Sequence, residues 1–554
     1  TLADDPETFG GYFDSGSTWT TNSLTETRKD DYHVTSQVIA NYMGTFGSHD
    51  LTVMAGFENY YMKDEELTAA RDKYELTGYP YLNIGSEDFQ TNSGKGSEYT
   101  SNSVFGRVIY SYADRYLFQA NIRHDGSSRF AKGYRWGTFP SFSAGWVMSE
   151  EKFMKSLNWD WLSFLKLRGS WGILGNERIG DDYFPYIALM SFGNSLFYMA
   201  DGSVVSDKTA RPAILAVEDI TWETTTSTDF GLDANFFNNR LQFHFDYYWK
   251  QTKDMLLKIE IPYFMGYNNP NTNAGKMSTH GYDIELAWND RIGDLQYGVN
   301  VNFSDFLSKI DYMNDGEQIS NGKIKRAGVL FNEYYGYVCD GIYQTQEEVN
   351  NSARTSTTVT VGDLKYRDIS GPDGVPDGII SPEYDRVPLG NSLPRFQYGG
   401  TFNASYKGID FSIAFQGIGK QNSYLSTAMV QPLRDNYGSV PSIIEGKYWS
   451  PFNTAEENLS ARYPRLSNVS KSNNYATSSF WMFNGSYFRL KNLTLGYTLP
   501  ETWTQKAGID RVRFYISGSD LFCLSNFPDG WDPEMGASSY PITTSLVMGL
   551  QVNF

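Results

Sequence analysis

Long hydrophobic runs are missing from this sequence. No stretch of about 18 consecutive apolar residues occurs anywhere in it. That excludes membrane-spanning helices but not membrane-spanning strands, in which only alternate residues meet lipid. Cysteine is scarce: Cys339 and Cys523 are the only two, too few and too far apart for a disulfide framework. Five scattered histidines leave little from which to build a zinc centre or a Ser-His-Asp triad. Positive charge is in deficit, with 46 Lys and Arg against 64 Asp and Glu and a net charge of −18. Nucleic-acid partners, which require a basic footprint, are excluded on that ground. Helical periodicity is nearly absent, the segment from Glu150 to Trp159 being the best short candidate. The opening Thr1-Leu2-Ala3-Asp4-Asp5 is polar and acidic, and it says nothing about export.

The chain is rich in aromatics and glycine: 40 Tyr, 36 Phe, 13 Trp and 51 Gly among 554 residues. Tyrosine and phenylalanine favour strands, and glycine marks turns and bulges. A mean hydropathy of −0.45 is too polar for a helical membrane bundle. Period-two alternation runs through the chain. Leu241, Phe243, Phe245, Tyr247 and Trp249 alternate with Gln242, His244, Asp246, Tyr248 and Lys250. Leu546, Met548, Leu550, Val552 and Phe554 alternate with Val547, Gly549, Gln551 and Asn553. Roughly 16 strands of this kind are predicted, the first near residues 17–28, with a long connection at about 64–101. From residue 102 onward, short turns such as Ala113-Asp114 and Lys407-Gly408 alternate with long connections at 127–135, 175–224, 253–277, 306–395, 418–482 and 523–540. In an up-and-down sheet, every second connection lies at the same end. All long loops therefore fall on one side, as in outer-membrane barrels with short periplasmic turns and long extracellular loops. A propeller would show repeats of about 40–50 residues, and none is visible. The predicted fold is all-β: a large antiparallel transmembrane barrel, apolar side chains facing lipid and polar ones such as Gln242, His244 and Asp246 facing the lumen.

Several segments carry a family resemblance. Phe230-Gly231-Leu232-Asp233 through Asn238-Asn239-Arg240-Leu241 to Asp246-Tyr247-Tyr248, Tyr487-Phe488-Arg489-Leu490-Lys491-Asn492-Leu493-Thr494-Leu495-Gly496-Tyr497, the strand from Arg513 to Phe522, and the ending Gly549-Leu550-Gln551-Val552-Asn553-Phe554 together resemble the SusC/RagA family of TonB-dependent transporters. The resemblance covers roughly residues 100–554. It implies a cell-outer-membrane barrel of about 22 strands around a plug. It further implies a SusD-like surface lipoprotein as partner, the TonB complex as energy source, and import of oligosaccharides or, in some members, of peptides. Residues 1–554 would then be the C-terminal barrel portion, with the plug, the TonB contact and the first strands expected upstream of Thr1.

Residue chemistry yields three sets of candidates. Asp368, Asp373, Asp377 and Asp385 sit in a Gly/Pro-rich loop with Gly374 and Gly378. Calcium takes six to eight oxygens on such a tight loop, although the register is not that of an EF-hand and a solvated turn is the plainer reading. Calcium is the one cofactor expected, and the resemblance points to the same loop. Tyr334, Tyr335, Trp449 and Trp531 are candidate ligand contacts, since sugar C–H faces stack on aromatic rings; rim girdles and loop cores use the same residues. Phe554, an aromatic C-terminal residue on an amphipathic last strand, resembles an outer-membrane assembly signal. No catalytic constellation stands out, so no enzyme is expected. A passive porin and a barrel hydrolase are the alternatives to active import.

Overall fold

Strand alternation becomes one sheet because each predicted strand pairs with its neighbour in sequence. The computed structural model describes residues 22–554, apart from 77, 181, 315, 427–429, 435–439, 441, 529, 536–538 and 541. Fifteen antiparallel strands form a single sheet in strict chain order. They are β1 (Ser23–Phe46), β2 (His49–Asp72), β3 (Gln90–Tyr112), β4 (Tyr116–Ser127), β5 (Trp136–Val147), β6 (Leu162–Asn176), β7 (Glu223–Phe236), β8 (Leu241–Lys258), β9 (Asn271–Ile292), β10 (Leu295–Met313), β11 (Arg395–Tyr406), β12 (Ile409–Lys420), β13 (Tyr487–Thr498), β14 (Arg511–Ser525) and β15 (Ser545–Asn553). Among the described residues, β1 pairs only with β2 and β15 only with β14.

The register aligns like with like. Leu167, Leu232, Phe245, Ile284, Phe303 and Tyr398 stand directly opposite one another across β6 to β11. One residue along, Arg168, Gly231, Asp246, Asp283, Ser304 and Gln397 form the matching row on the other face. The apolar face is bare: Phe230 is 57% exposed and Met548 80%. A contiguous apolar surface of this extent is a lipid-facing wall. No helix among the described residues is long and apolar enough to cross a membrane, so strands are the crossing elements.

Connections alternate between two ends, the longest all at one of them, although 148–161 and 499–510 at the other end are longer than 128–135. One end carries Gly47-Ser48, 113–115, 148–161, 237–240, 293–294, 407–408 and 499–510; the other carries 73–89, 128–135, 177–222, 259–270, 314–394, 421–486 and 526–544. Lys407 and Gly408 both take positive φ, 46° and 87°, which gives the turn a twist that matches its strands. The expected helix at Glu150–Trp159 is shorter, a 3-10 turn at Met148–Glu150 followed by a helix at Lys152–Ser156.

Two expectations need correction. The first described strand is Ser23–Phe46, far longer than the predicted 17–28, of which residues 17–21 lie outside the described residues. The predicted loop 64–101 is mostly strand, with only 73–89 connecting β2 to β3. The reason is physical. At 24 residues, β1 and β2 each reach about 80 Å, well past a hydrocarbon core of about 30 Å. Beyond the bilayer both faces meet water. Runs such as Arg28-Lys29-Asp30-Asp31 paired with Asp64-Glu65-Glu66-Leu67 therefore lose the alternation by which strands are recognised. Among the described residues the sheet has 15 strands, against roughly 16 predicted.

Candidate transport lumen and loop canopy

The polar face is organised by arginines held among carboxylates. Arg168 on β6 reaches Asp246 through Nη2 at 2.7 Å and Asp233 through Nε at 3.2 Å. His244 Nδ1 lies 2.9 Å from Asp233 Oδ1. Gly231 makes room for this cluster, since a Cβ there would sit 2.4 Å from the Arg168 guanidinium carbon. Arg123 donates to Ser103 Oγ at 2.7 Å and Glu58 at 3.1 Å, and pairs with Asp125. Arg513 holds Asp410 through two nitrogens. Arg489, its side chain 4% exposed, binds Asp532 at 2.5 Å and also Glu534, tying β13 to the loop 526–544. Between these hubs run neutral polar pairs, Asn121 with Ser141, Asn403 with Ser412, and Thr494 with Ser517, alongside Arg107, which donates to Asn121. Arg168 was not singled out from sequence. Lys166, Arg168 and Ser170 alternating with Leu165, Leu167 and Trp171 was the available signal.

Above one end, the connections 314–394 and 421–486 fold together into a canopy. Its strands at 317–320, 323–326, 333–337 and 386–391 make a four-stranded sheet. Its joint is polar and buried. The fully buried Asp363 accepts from Arg465 Nε at 2.7 Å, Ser470 Oγ at 3.0 Å, Asn474 Nδ2 at 3.0 Å and the Thr360 amide at 2.9 Å. Trp481, fully buried, donates its indole N–H to the Asn474 carbonyl at 2.7 Å. Burial pushes the phenols of Tyr343 and Tyr475 up to about 12 and the Cys339 thiol up to about 11.

The expected cation ligands lie in this canopy but do not gather. Asp385 is fully buried and spends its oxygens on the amides of Ile369, Ser370 and Ser381. Asp368 accepts from the Gly378 amide at 2.7 Å, Asp377 from the Ile379 amide at 2.9 Å, and Asp373 stands exposed. Among the described residues no group of three or more His, Cys, Asp or Glu is assembled that could hold a metal ion. Asp368, Asp377 and Asp385 instead satisfy the loop's own backbone donors.

The four aromatic candidates are packed rather than presented. Tyr334 lies beneath Lys323 Nζ, 5.2 Å from its ring centroid, and beside Tyr424, and burial raises its phenol. Tyr335 has guanidinium groups of Arg326 and Arg386 at 5.9 and 5.5 Å. Trp449 covers Gly362 and donates to Gln344 Oε1 at 3.2 Å. Trp531 packs half-buried against the cluster of Leu425, Val430, Trp481 and Phe527. Tyr334, Tyr335 and Trp449 stand in the canopy and Trp531 in the loop 526–544. Phe554 follows β15 at the short-turn end, 87% exposed.

A sheet apolar on one face and polar on the other, with folded loops at one end and tight turns at the other, is the wall of an outer-membrane β-barrel. The profile of the family described as TonB dependent receptor-like, beta-barrel matches residues 3–517, and the chain belongs to that family. It is 30% identical to TonB-dependent receptor P3 of Formosa agariphila over 94% of this chain and 52% of that protein. It is 28% identical to TonB-dependent receptor SusC of Bacteroides thetaiotaomicron over 94% of this chain and 50% of that protein. Among solved structures, a chain of the RagAB peptide transporter superposes with a TM-score of 0.79 at 23% identity, over 97% of this chain and 57% of that one. The chain thus spans about half the length of the curated relatives it matches.

Proposed function

We propose that residues 1–554 form the C-terminal part of the barrel of a SusC-like, TonB-driven importer of oligosaccharides, working with a SusD-like surface lipoprotein. The plug, the TonB contact and the strands that complete the wall belong to the rest of the protein. The observation that carries the substrate class is the polar make-up of the lumen face between its arginine hubs. Arg123, Arg168 and Arg513 are engaged by carboxylates of the wall, and Arg489 by carboxylates of the loop 526–544. Between these hubs a passing solute meets hydroxyls and amides such as Asn403, Ser412, Thr494 and Ser517, which suits uncharged, hydroxyl-rich chains. Phe554 acts in this reading as the assembly signal, so removing Leu550–Phe554 should abolish insertion.

Uptake by cells carrying the full-length gene tests the proposal. Labelled hexasaccharides should enter, and entry should cease when TonB is removed. Entry of hexapeptides in place of sugars would assign the transporter to peptide import, as in the RagAB transporter. Entry that continues without TonB would make it a passive porin.

A further inference from the structure

The outer ends of β2 and β3, together with the connections after β4 and β6, bring a set of side chains to one place on the lumen face. A small core fixes it: Phe130 and Ile220 are fully buried, with Phe139, Ile179 and Trp222 packed around them. Phe139 stands opposite Arg123 in the register, so this core rests on the polar side of the wall. The residues beside its anchors are held in turn. Arg129 precedes Phe130, and Glu177 lies two residues before Ile179.

What the core holds up is a curved run of tyrosines. The rings of Tyr60 and Tyr99 are 5.9 Å apart, and those of Tyr99 and Tyr183 6.4 Å. The Arg129 guanidinium backs the run at 4.4 Å from Tyr183 and 5.4 Å from Tyr99, and donates to the carbonyls of Gly180 and Asp182. Tyr99 donates its hydroxyl to Glu177 Oε1. The second oxygen, Oε2, is buried and has no hydrogen-bond partner among the described residues. A buried carboxylate oxygen without a donor is costly, and this one lies beside a run of half-exposed rings in a conduit for solutes.

We propose that this rim cluster is a saccharide-binding subsite, in which successive sugar rings stack on Tyr60, Tyr99 and Tyr183 while a sugar hydroxyl donates to Glu177 Oε2. The inference rests on the oligosaccharide-import reading above and deepens it. Aromatic faces carry partial negative charge and attract polarised C–H bonds. The carboxylate supplies the directional contact that a flat ring cannot. Arg129 stiffens the platform and is already committed to two carbonyls and two rings, which disfavours a peptide carboxylate as the ligand.

The test uses the full-length transporter in detergent and isothermal titration with neutral hexasaccharides of α-glucan, β-glucan, xylan and mannan, hexapeptides being run in parallel. The wild type should bind at least one sugar. Tyr99→Ala and Glu177→Gln should each weaken that binding tenfold or more, and Tyr183→Ala, in a connecting loop, should do the same. Phe230→Ala on the lipid face should leave it unchanged. Heat-modifiable gel migration checks that each barrel is folded, and Tyr183→Ala decides the matter should a strand variant misfold. Undiminished sugar binding in the folded variants overturns the subsite while leaving oligosaccharide import standing. Binding of hexapeptides alone, weakened by the same substitutions, overturns both. Wild-type protein that binds none of the sugars overturns the subsite, and the uptake experiment then decides the broader reading separately.

Discussion

The wall and the canopy are held together in opposite ways. The wall has no dry interior of its own: its large apolar residues, such as Phe230, Trp249 and Leu546, are exposed, and its order comes from ladders of backbone hydrogen bonds between sequence neighbours. The canopy resembles a small soluble domain, with Trp481, Tyr343, Leu364 and Val349 buried and Asp363 at the joint of two connections far apart in sequence. Lipid supplies the wall's missing solvent, whereas the canopy must bury its own side chains. Substitutions should therefore act on one without the other.

The largest effect is expected at the canopy joint. Asp363→Ala leaves Arg465 without its buried partner, and breaking such a pair costs about 3–5 kcal/mol. Limited proteolysis should cut 314–394 and 421–486 in the variant, while the barrel keeps its heat-modifiable migration. Loss of the barrel together with the canopy would contradict their independence. Next comes the wall. Phe245→Arg places a charge on the lipid face at a cost of about 2–4 kcal/mol, depending on depth, and should lower the urea midpoint of unfolding from lipid vesicles. Gln242→Arg, on the lumen face of the same strand, should shift it far less.

Alkali separates the two regions again. Burial raises Tyr343 and Tyr475 to about 12, and Tyr366 well above its ordinary value of 10.0. A group whose folded value is raised contributes stability that is lost as pH climbs from the unfolded toward the folded value. The canopy should open between pH 10 and 12, visible as hydrogen exchange in 314–394 and 421–486 before exchange in β7 to β10. Protection that persists in the canopy to pH 12 would show that these phenols stay neutral without strain. The smallest effect is expected at the acidic loop. Asp373 is exposed and free of the turn's hydrogen bonds, so Asp373→Asn should move thermal stability by less than about 0.5 kcal/mol, with or without calcium. A calcium-dependent stabilisation lost in that variant would restore the loop as a cation site.

Much of the wall was legible in the sequence and little of the canopy. Alternation around Phe245 and Asp246 placed those residues on the correct faces because a bilayer on one side and water on the other impose a period of two. Where both sides are wet, as at Lys29 and Asp64, that signal vanished and β1 to β3 were cut short. The Asp368–Asp385 loop is less legible for a different reason. Oxygen-rich spacing looks alike whether the oxygens serve a cation or the backbone amides of Ile369 and Ser381. The packing of Tyr334 and Trp449 was not legible, because an aromatic packed inside a loop and one offered to a ligand are the same letters. The tyrosine run escaped notice as a unit because Tyr60, Tyr99 and Tyr183 belong to three separate segments. Only the register places the first two on the same face.

The strict alternation of strand directions has an arithmetical consequence. Counting from one edge to the other, odd-numbered strands all run the same way, so β1 and β15 both travel from the loop end to the turn end. Two strands that run alike cannot close an antiparallel ring by meeting each other. Whatever segment completes the circumference must contribute an odd number of strands. An all-antiparallel barrel built on the fifteen strands described therefore has an even number of strands.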